Sequence, residues 1–179
     1  MAESRQPNRT KALTEPDVEV KTAAPYGEHV LMSQPAFLEA HPTALAIYCS
    51  DGRFTDAVED LMRRSRGHER FDAMLLPGGP ALLDSETASM VERETMRPST
   101  SFLIRSHGIR EVCLIAHAGC GFYKCRYAGM PAANVLQRQM DDICRAAEWV
   151  GKTHGVAVWP YFATPSGGRV RFTPVELKK

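Results

Sequence analysis

The feature that most limits the possible folds of this chain is an alternation of short apolar runs with amphipathic stretches, which begins near residue 44. Short apolar runs bounded by turn residues are typical of buried strands, and the stretches between them have the spacing of helices. The predicted strands lie at 44–48, 71–76, 112–116 and 156–159, with a short fifth at 170–172. Strands that alternate with helices form a parallel α/β sheet with right-handed crossover connections.

The stretches between the strands predict helices at 55–66, at 84–96 and, after Pro98, at 99–107. A long helix begins at Pro131, and its apolar stripe consists of Leu136, Met140, Ile143, Cys144, Ala147 and Val150. We expect strands one and three to be neighbours, with strand two on the far side of strand one. The predicted strand order is therefore about 2-1-3-4, with helices on both faces of the sheet.

Length and charge restrict the class of protein further. The 179 residues suit one domain with a single core. Residues 1–40 are expected to form an N-terminal arm that is flexible or wraps a partner subunit, and residues 41–179 to form the folded domain. The net charge of +1 offers no basic surface for nucleic acid or an anionic membrane. No apolar run reaches the ~18 residues of a membrane span, and the polar N-terminus resembles no secretion signal, so we expect a cytoplasmic protein.

The cysteines indicate metal or catalytic chemistry. Five irregularly spaced cysteines are not typical of a disulfide framework in a reducing compartment. Cys49 follows strand one, and His117 and Cys120 follow strand three, so the predicted sheet brings them together beyond its carboxyl edge. Two thiolates and an imidazole with one open position form a catalytic zinc site. A buried histidine packed against two cysteines is the structural alternative.

Two motifs together resemble those of the β-class carbonic anhydrases. The first is C-x-D-x-R, formed by Cys49, Asp51 and Arg53, and the second is H-x-x-C-G, formed by His117, Cys120 and Gly121. The segments FLIRSHGIREVCLIAHAGCG and VAVWPYFATPSGGRVRF extend the resemblance over much of the chain after the arm. It implies the parallel-sheet fold of that family for the domain at 41–179. It also implies one zinc ion per chain, held by the two cysteines and the histidine, and a homodimer or larger homo-oligomer.

The resemblance also implies an activity, the reversible hydration of CO2 to bicarbonate by a zinc-bound hydroxide. In that family an Asp-Arg pair controls the fourth zinc ligand, and Asp51 and Arg53 match it. A bidentate Arg53 would keep Asp51 ionised and prevent it from occupying the open zinc position. A turn residue with a surface ion pair is the alternative interpretation of these two side chains.

The sequence departs from the family at two places. Ala40-His41-Pro42 replaces a Gln-x-Pro whose glutamine faces the substrate, and Leu76-Pro77-Gly78-Gly79 replaces an Arg-Asn-Ala-Gly segment. Both changes leave the metal ligands in place and concern the substrate pocket, for which His41 is a candidate residue. Another linear heteroallene, COS or CS2, is therefore an alternative substrate. A zinc-binding protein without catalysis and a thiol redox protein that uses Cys120 and Cys125 are further alternatives.

Overall fold

The computed structural model describes residues 33–177 of the chain. Most of the predicted arm at 1–40 lies outside the described residues. The chain from Leu38 onward forms one compact unit, which contains every helix and strand given below. No helix within the described range is both long enough and apolar enough to cross a membrane.

A five-stranded sheet lies at the centre of this unit. Its strands follow the order β2-β1-β3-β4-β5, and the first four are parallel. The predicted order 2-1-3-4 is thus confirmed, and the short fifth strand joins the edge as the antiparallel partner of β4. The strands are β1 (Ala44–Cys49), β2 (Asp72–Leu76), β3 (Glu111–His117), β4 (Ala157–Ser166) and β5 (Arg169–Pro174).

Helices cover both faces of the sheet, as predicted. They are α1 (Thr55–Asp60), extended by a π-helical turn at Leu61–Ser65, α2 (Met90–His107), α3 (Gly121–Arg126) and α4 (Ala132–His154). Successive side chains of a strand point to opposite faces. Leu45 and Ile47 therefore pack with the core residues of α2 and α4, and Ala46 and Tyr48 pack with those of α1.

The predicted break at Pro98 is wrong. Residues Gly79–Leu83 form a 3-10 turn, and α2 then runs without interruption through Pro98. Its start is fixed by a capping box, in which Ser89 accepts from the backbone N–H of Glu92 and the Glu92 carboxylate accepts from that of Ser89. Buried side chains before and after the proline hold the helix against the core, which compensates for the missing backbone hydrogen bond.

The predicted apolar stripe of α4 is correct only in part. Ile143, Ala147 and Val150 are buried, but Leu136 is exposed. Met140 and Cys144 are only half-buried. Two polar side chains, Gln139 and Asp142, are buried instead, because they make hydrogen bonds below the carboxyl edge of the sheet.

Candidate metal centre

Three potential metal ligands converge at the carboxyl ends of β1 and β3. Cys49 is the last residue of β1, His117 is the last residue of β3, and Cys120 precedes the first turn of α3. Their donor atoms all lie within 4.8 Å of one another, and the two sulfur atoms are 3.8 Å apart. All three side chains are buried. Across residues 33–177 no other group of His, Cys, Asp or Glu brings three donors equally close.

The hydrogen bonds of His117 leave one ring nitrogen available to a metal. Its Nδ1 lies 3.0 Å from the carbonyl oxygen of Ala118, which can only accept, so Nδ1 carries the ring proton. Nε2 keeps its lone pair and is the only buried side-chain nitrogen or oxygen in the described part of the chain without a hydrogen-bond partner. A cation bound to Nε2 would satisfy this atom, and the Ala118 carbonyl would fix the orientation of the ring.

The two cysteines share a proton. Because the Cys120 S–H donates a hydrogen bond to Cys49, the pKa of the Cys49 thiol falls to about 4. The same hydrogen bond, together with burial, raises the pKa of Cys120. A divalent metal ion displaces such a proton and binds both thiolates, whose two negative charges balance its own. The donor set, two thiols and one imidazole nitrogen, therefore fits zinc.

The loop after β2 approaches Cys49 closely. After the larger effect of Cys120, the backbone N–H of Gly78 also lowers the pKa of the Cys49 thiol. A Cβ at Gly79 would lie 2.6 Å from the carbonyl carbon of Tyr48, and one at Gly78 would lie 2.6 Å from the Phe122 ring. Both glycines also have positive φ, 89° at Gly78 and 51° at Gly79. Glycine at these two positions therefore permits the close approach of the loop.

The Arg53 guanidinium forms a bidentate ion pair with the Asp51 carboxylate. Arg53 Nε donates to Oδ1 at 2.9 Å, and a terminal guanidinium nitrogen donates to Oδ2 at 2.5 Å. The backbone N–H of Arg53 adds a third hydrogen bond to Oδ1 at 3.2 Å. The side-chain hydrogen bonds from Arg53 lower the pKa of Asp51 to about 2, so the carboxylate is ionised at neutral pH. Both of its oxygens are bound to Arg53, and Asp51 is not among the donors that converge on the metal centre.

Other candidate residues lie away from this centre. His41 precedes β1 and stacks on His107 with ring centroids 4.0 Å apart, and His107 Nδ1 lies 2.6 Å from the Asp72 carboxylate. These residues occupy the edge where the strands begin, so His41 is not a pocket residue of its own chain. His107 ends α2, as predicted. Cys125 is exposed on α3, whereas Cys120 is buried at the metal centre, and both thiols are free.

Residues that the motifs do not reveal support the centre from α4. Gln139 Nε2 donates to the carbonyl oxygen of His117 at 3.1 Å. The Tyr123 O–H donates to Asp142 Oδ2 at 2.6 Å. The only signal for these contacts in the sequence is the spacing of Gln139 and Asp142, three residues apart next to an apolar stripe.

A protein-family model matches more than half of the chain. The model is described as "Putative carbonic anhydrase" and matches residues 40–163. A search of the curated proteins finds no match.

Solved structures with a similar fold include β-carbonic anhydrases. Isoform I from Trichomonas vaginalis is 14% identical with a TM-score of 0.50, and the match covers 78% of this chain and 87% of that one. The carbonic anhydrase from Glaciozyma antarctica is 16% identical with a TM-score of 0.50, and the match covers 78% and 85% of the two chains. At these identities the similarity shows the fold alone.

Proposed function

This chain belongs to the carbonic anhydrase family whose model it matches, and on that premise we propose that it is a zinc-dependent enzyme that hydrates CO2 to bicarbonate. The observation that carries the proposal is the convergence of Cys49, His117 and Cys120 around an unpartnered His117 Nε2. Catalytic zinc sites typically take three ligands from the protein, and these three residues would provide them.

A zinc ion held by Cys49, His117 and Cys120 would supply the Lewis acidity that makes a water molecule nucleophilic at neutral pH. The water oxygen joins the carbon, one proton is released to solvent, and bicarbonate leaves. The surrounding protein excludes bulk water from the ligands, since all three are buried.

Asp51 and Arg53 are the proposed catalytic residues. Asp51 accepts a hydrogen bond from the reacting water and so directs the oxygen lone pair toward the substrate carbon. An ionised carboxylate is needed for this, and Arg53 keeps the pKa of Asp51 far below neutral pH. Arg53 also restrains both carboxylate oxygens, which prevents Asp51 from binding to the metal in place of water.

Stopped-flow CO2 hydration with a pH indicator tests this proposal. The zinc-loaded protein should hydrate CO2 well above the uncatalysed rate, and Cys49→Ser should lose both zinc and activity. Cys125→Ser is the matched control, since Cys125 is exposed and lies outside the metal centre. A zinc-loaded protein without hydratase activity would contradict the proposed reaction and support a non-catalytic zinc protein.

A second candidate substrate is COS or CS2. The observation that favours it is the apolar surface beside Cys49, where Phe122 packs directly on Gly78. Gly78 and Gly79 carry no side chain, and Leu76 and Pro77 stand where the family has an arginine and an asparagine. Sulfide release from COS, measured on the same zinc-loaded preparation, distinguishes the two substrates. Faster turnover of COS than of CO2 would favour this second candidate.

A further inference from the structure

The buried polar side chains of α4 lie on one side of the helix and contact the segment that carries the metal ligands. These are Gln139 and Asp142. Together with the partly exposed Arg145, which binds Asp142, they form a row spaced three residues apart that we call the polar ridge. Gln139 is only 4% exposed and Asp142 is completely buried. Two of the contacts lead toward the metal centre, from Gln139 to the His117 carbonyl and from Asp142 to the Tyr123 phenol.

Tyr123 connects Asp142 with a metal ligand. Tyr123 lies in the first turn of α3, which begins directly after Cys120, and the backbone N–H of Lys124 donates to the Cys120 carbonyl oxygen at 3.1 Å. The Tyr123 ring is buried with Cys49 and Cys120 in one cluster, and only its hydroxyl has a polar partner, the Asp142 carboxylate. Anchoring that hydroxyl therefore fixes the first turn of α3, which starts at the ligand Cys120.

The other carboxylate oxygen of Asp142 also has a charged hydrogen-bond partner, Arg145. Arg145 donates to Asp142 Oδ1 at 2.6 Å and to Asp84 Oδ1 at 2.7 Å. Asp84 in turn accepts backbone hydrogen bonds from Glu86 and Thr87. Through Arg145, the Asp142 carboxylate is connected to Asp84 in the segment before α2. This second contact restrains the carboxylate that binds the Tyr123 hydroxyl.

Burying a carboxylate in a protein core carries a desolvation penalty. Burial raises the pKa of Asp142 to about 6, and the partners on both of its oxygens offset this penalty. Apolar residues of similar volume generally stabilise a core as well as such a group does, or better. The position of these groups, next to two metal ligands, indicates a role in organising the centre.

We propose that Gln139 and Asp142 are positioning residues of the metal centre. Gln139 holds the His117 backbone, and Asp142 holds Cys120 through Tyr123. Together they keep the His117 nitrogen and the Cys120 sulfur at the separation that one metal ion requires. This inference rests on the proposed zinc site.

Zinc affinity, measured by chelator competition, tests the inference with two independent variants. Tyr123→Phe removes only the hydroxyl that Asp142 holds, and Gln139→Leu removes only the bond to the His117 carbonyl. Loss of such outer contacts weakens metal binding about 10- to 100-fold, and we expect each variant to fall in that range. Substitution with Co²⁺ adds a spectroscopic readout, since the thiolate-to-cobalt absorption should shift in both variants.

Ile143→Ala is the matched control for a loss of general stability. Ile143 is buried on the same helix beside Asp142, but its apolar side chain makes no polar contact with the segment that carries His117 and Cys120. It should lower the thermal stability of the zinc-loaded protein at least as much as Tyr123→Phe does, and leave zinc affinity and the cobalt spectrum unchanged. Wild-type zinc affinity in both Tyr123→Phe and Gln139→Leu, or an equal loss of affinity in Ile143→Ala, would overturn the inference. A wild-type protein that binds no zinc would overturn the proposed function as well.

Discussion

Gly79 offers a test of how closely the loop after β2 must pack on the strand that carries Cys49. Its φ is +51°, and an added Cβ would lie 2.6 Å from the carbonyl carbon of Tyr48 and 2.7 Å from the backbone nitrogen of Cys49. Gly67 is the matched control, because its φ is +74° and no heavy atom lies within 4 Å of an added Cβ. Both alanine variants carry backbone strain, but only Gly79→Ala adds a collision with the central strand.

The sizes of the two effects can be estimated separately. A left-handed backbone conformation costs an alanine about 1–2 kcal/mol. Overpacking against a backbone that cannot move adds about 1–3 kcal/mol. In a chain of this length, each kcal/mol lowers the melting temperature by about 2–4 °C. Gly67→Ala should therefore lower it by about 2–8 °C, and Gly79→Ala by roughly twice as much.

Scanning calorimetry of the zinc-loaded variants, combined with chelator competition, measures both consequences. Gly79→Ala should also weaken zinc binding, because the collision displaces the backbone of Cys49, whereas Gly67→Ala should not. Equal losses of melting temperature in the two variants, with zinc affinity preserved in both, would refute the close approach of this loop to the metal ligand.

Three further predictions concern the metal, the Asp-Arg pair and the assembly. Cys49→Ser should lower zinc occupancy and thermal stability together, because the metal joins the ends of two strands; full occupancy with unchanged stability would exclude Cys49 as a ligand. Arg53→Ala should keep zinc but lose about 10- to 100-fold in CO2 hydration. Arg64→Ala, which removes a similarly exposed arginine from an ion pair with Asp60, should not. The hydrogen bonds from Arg53 hold the pKa of Asp51 at about 2 instead of 3.8, so their stabilising contribution is present above pH 3.8 and is lost as the pH falls to 2. Carbon-13 NMR of the Asp51 carboxyl should show its titration midpoint rising toward 3.8 in Arg53→Ala, and an unchanged midpoint would contradict the pairing. Light scattering should give the mass of a homodimer or a larger homo-oligomer, and a monomer would contradict the assembly that the resemblance implies.

The parts of the fold that the sequence predicts are those that depend on local patterns. Apolar runs of strand length mark β1 to β4, and the expectation that strands one and three are neighbours gives the observed order. The three candidate ligands are predictable because Cys49 and His117 lie at strand ends and Cys120 follows His117 in a short loop. Motifs of this kind are local, and a parallel sheet brings their ends together in a predictable way.

The parts that the sequence does not predict depend on contacts between distant segments. Pro98 signals a helix end by its local chemistry, yet the core contacts on both sides keep α2 continuous. Gln139 and Asp142 are polar and therefore do not count toward the apolar stripe of α4. Their partners, Tyr123 and the His117 backbone, lie on other elements and cannot be read from the helix itself. Burial of polar side chains can be inferred only once the partners are known.

The zinc coordination shell is the measurement that tests the central claim most directly. X-ray absorption at the zinc edge of the purified protein should show two sulfur neighbours at about 2.3 Å and one imidazole nitrogen at about 2.0–2.1 Å, with one further light atom. The same measurement on Cys120→Ser should show one sulfur neighbour fewer. A shell of four sulfur atoms, a shell of light atoms alone, or no zinc in the purified protein would contradict a metal centre formed by Cys49, His117 and Cys120.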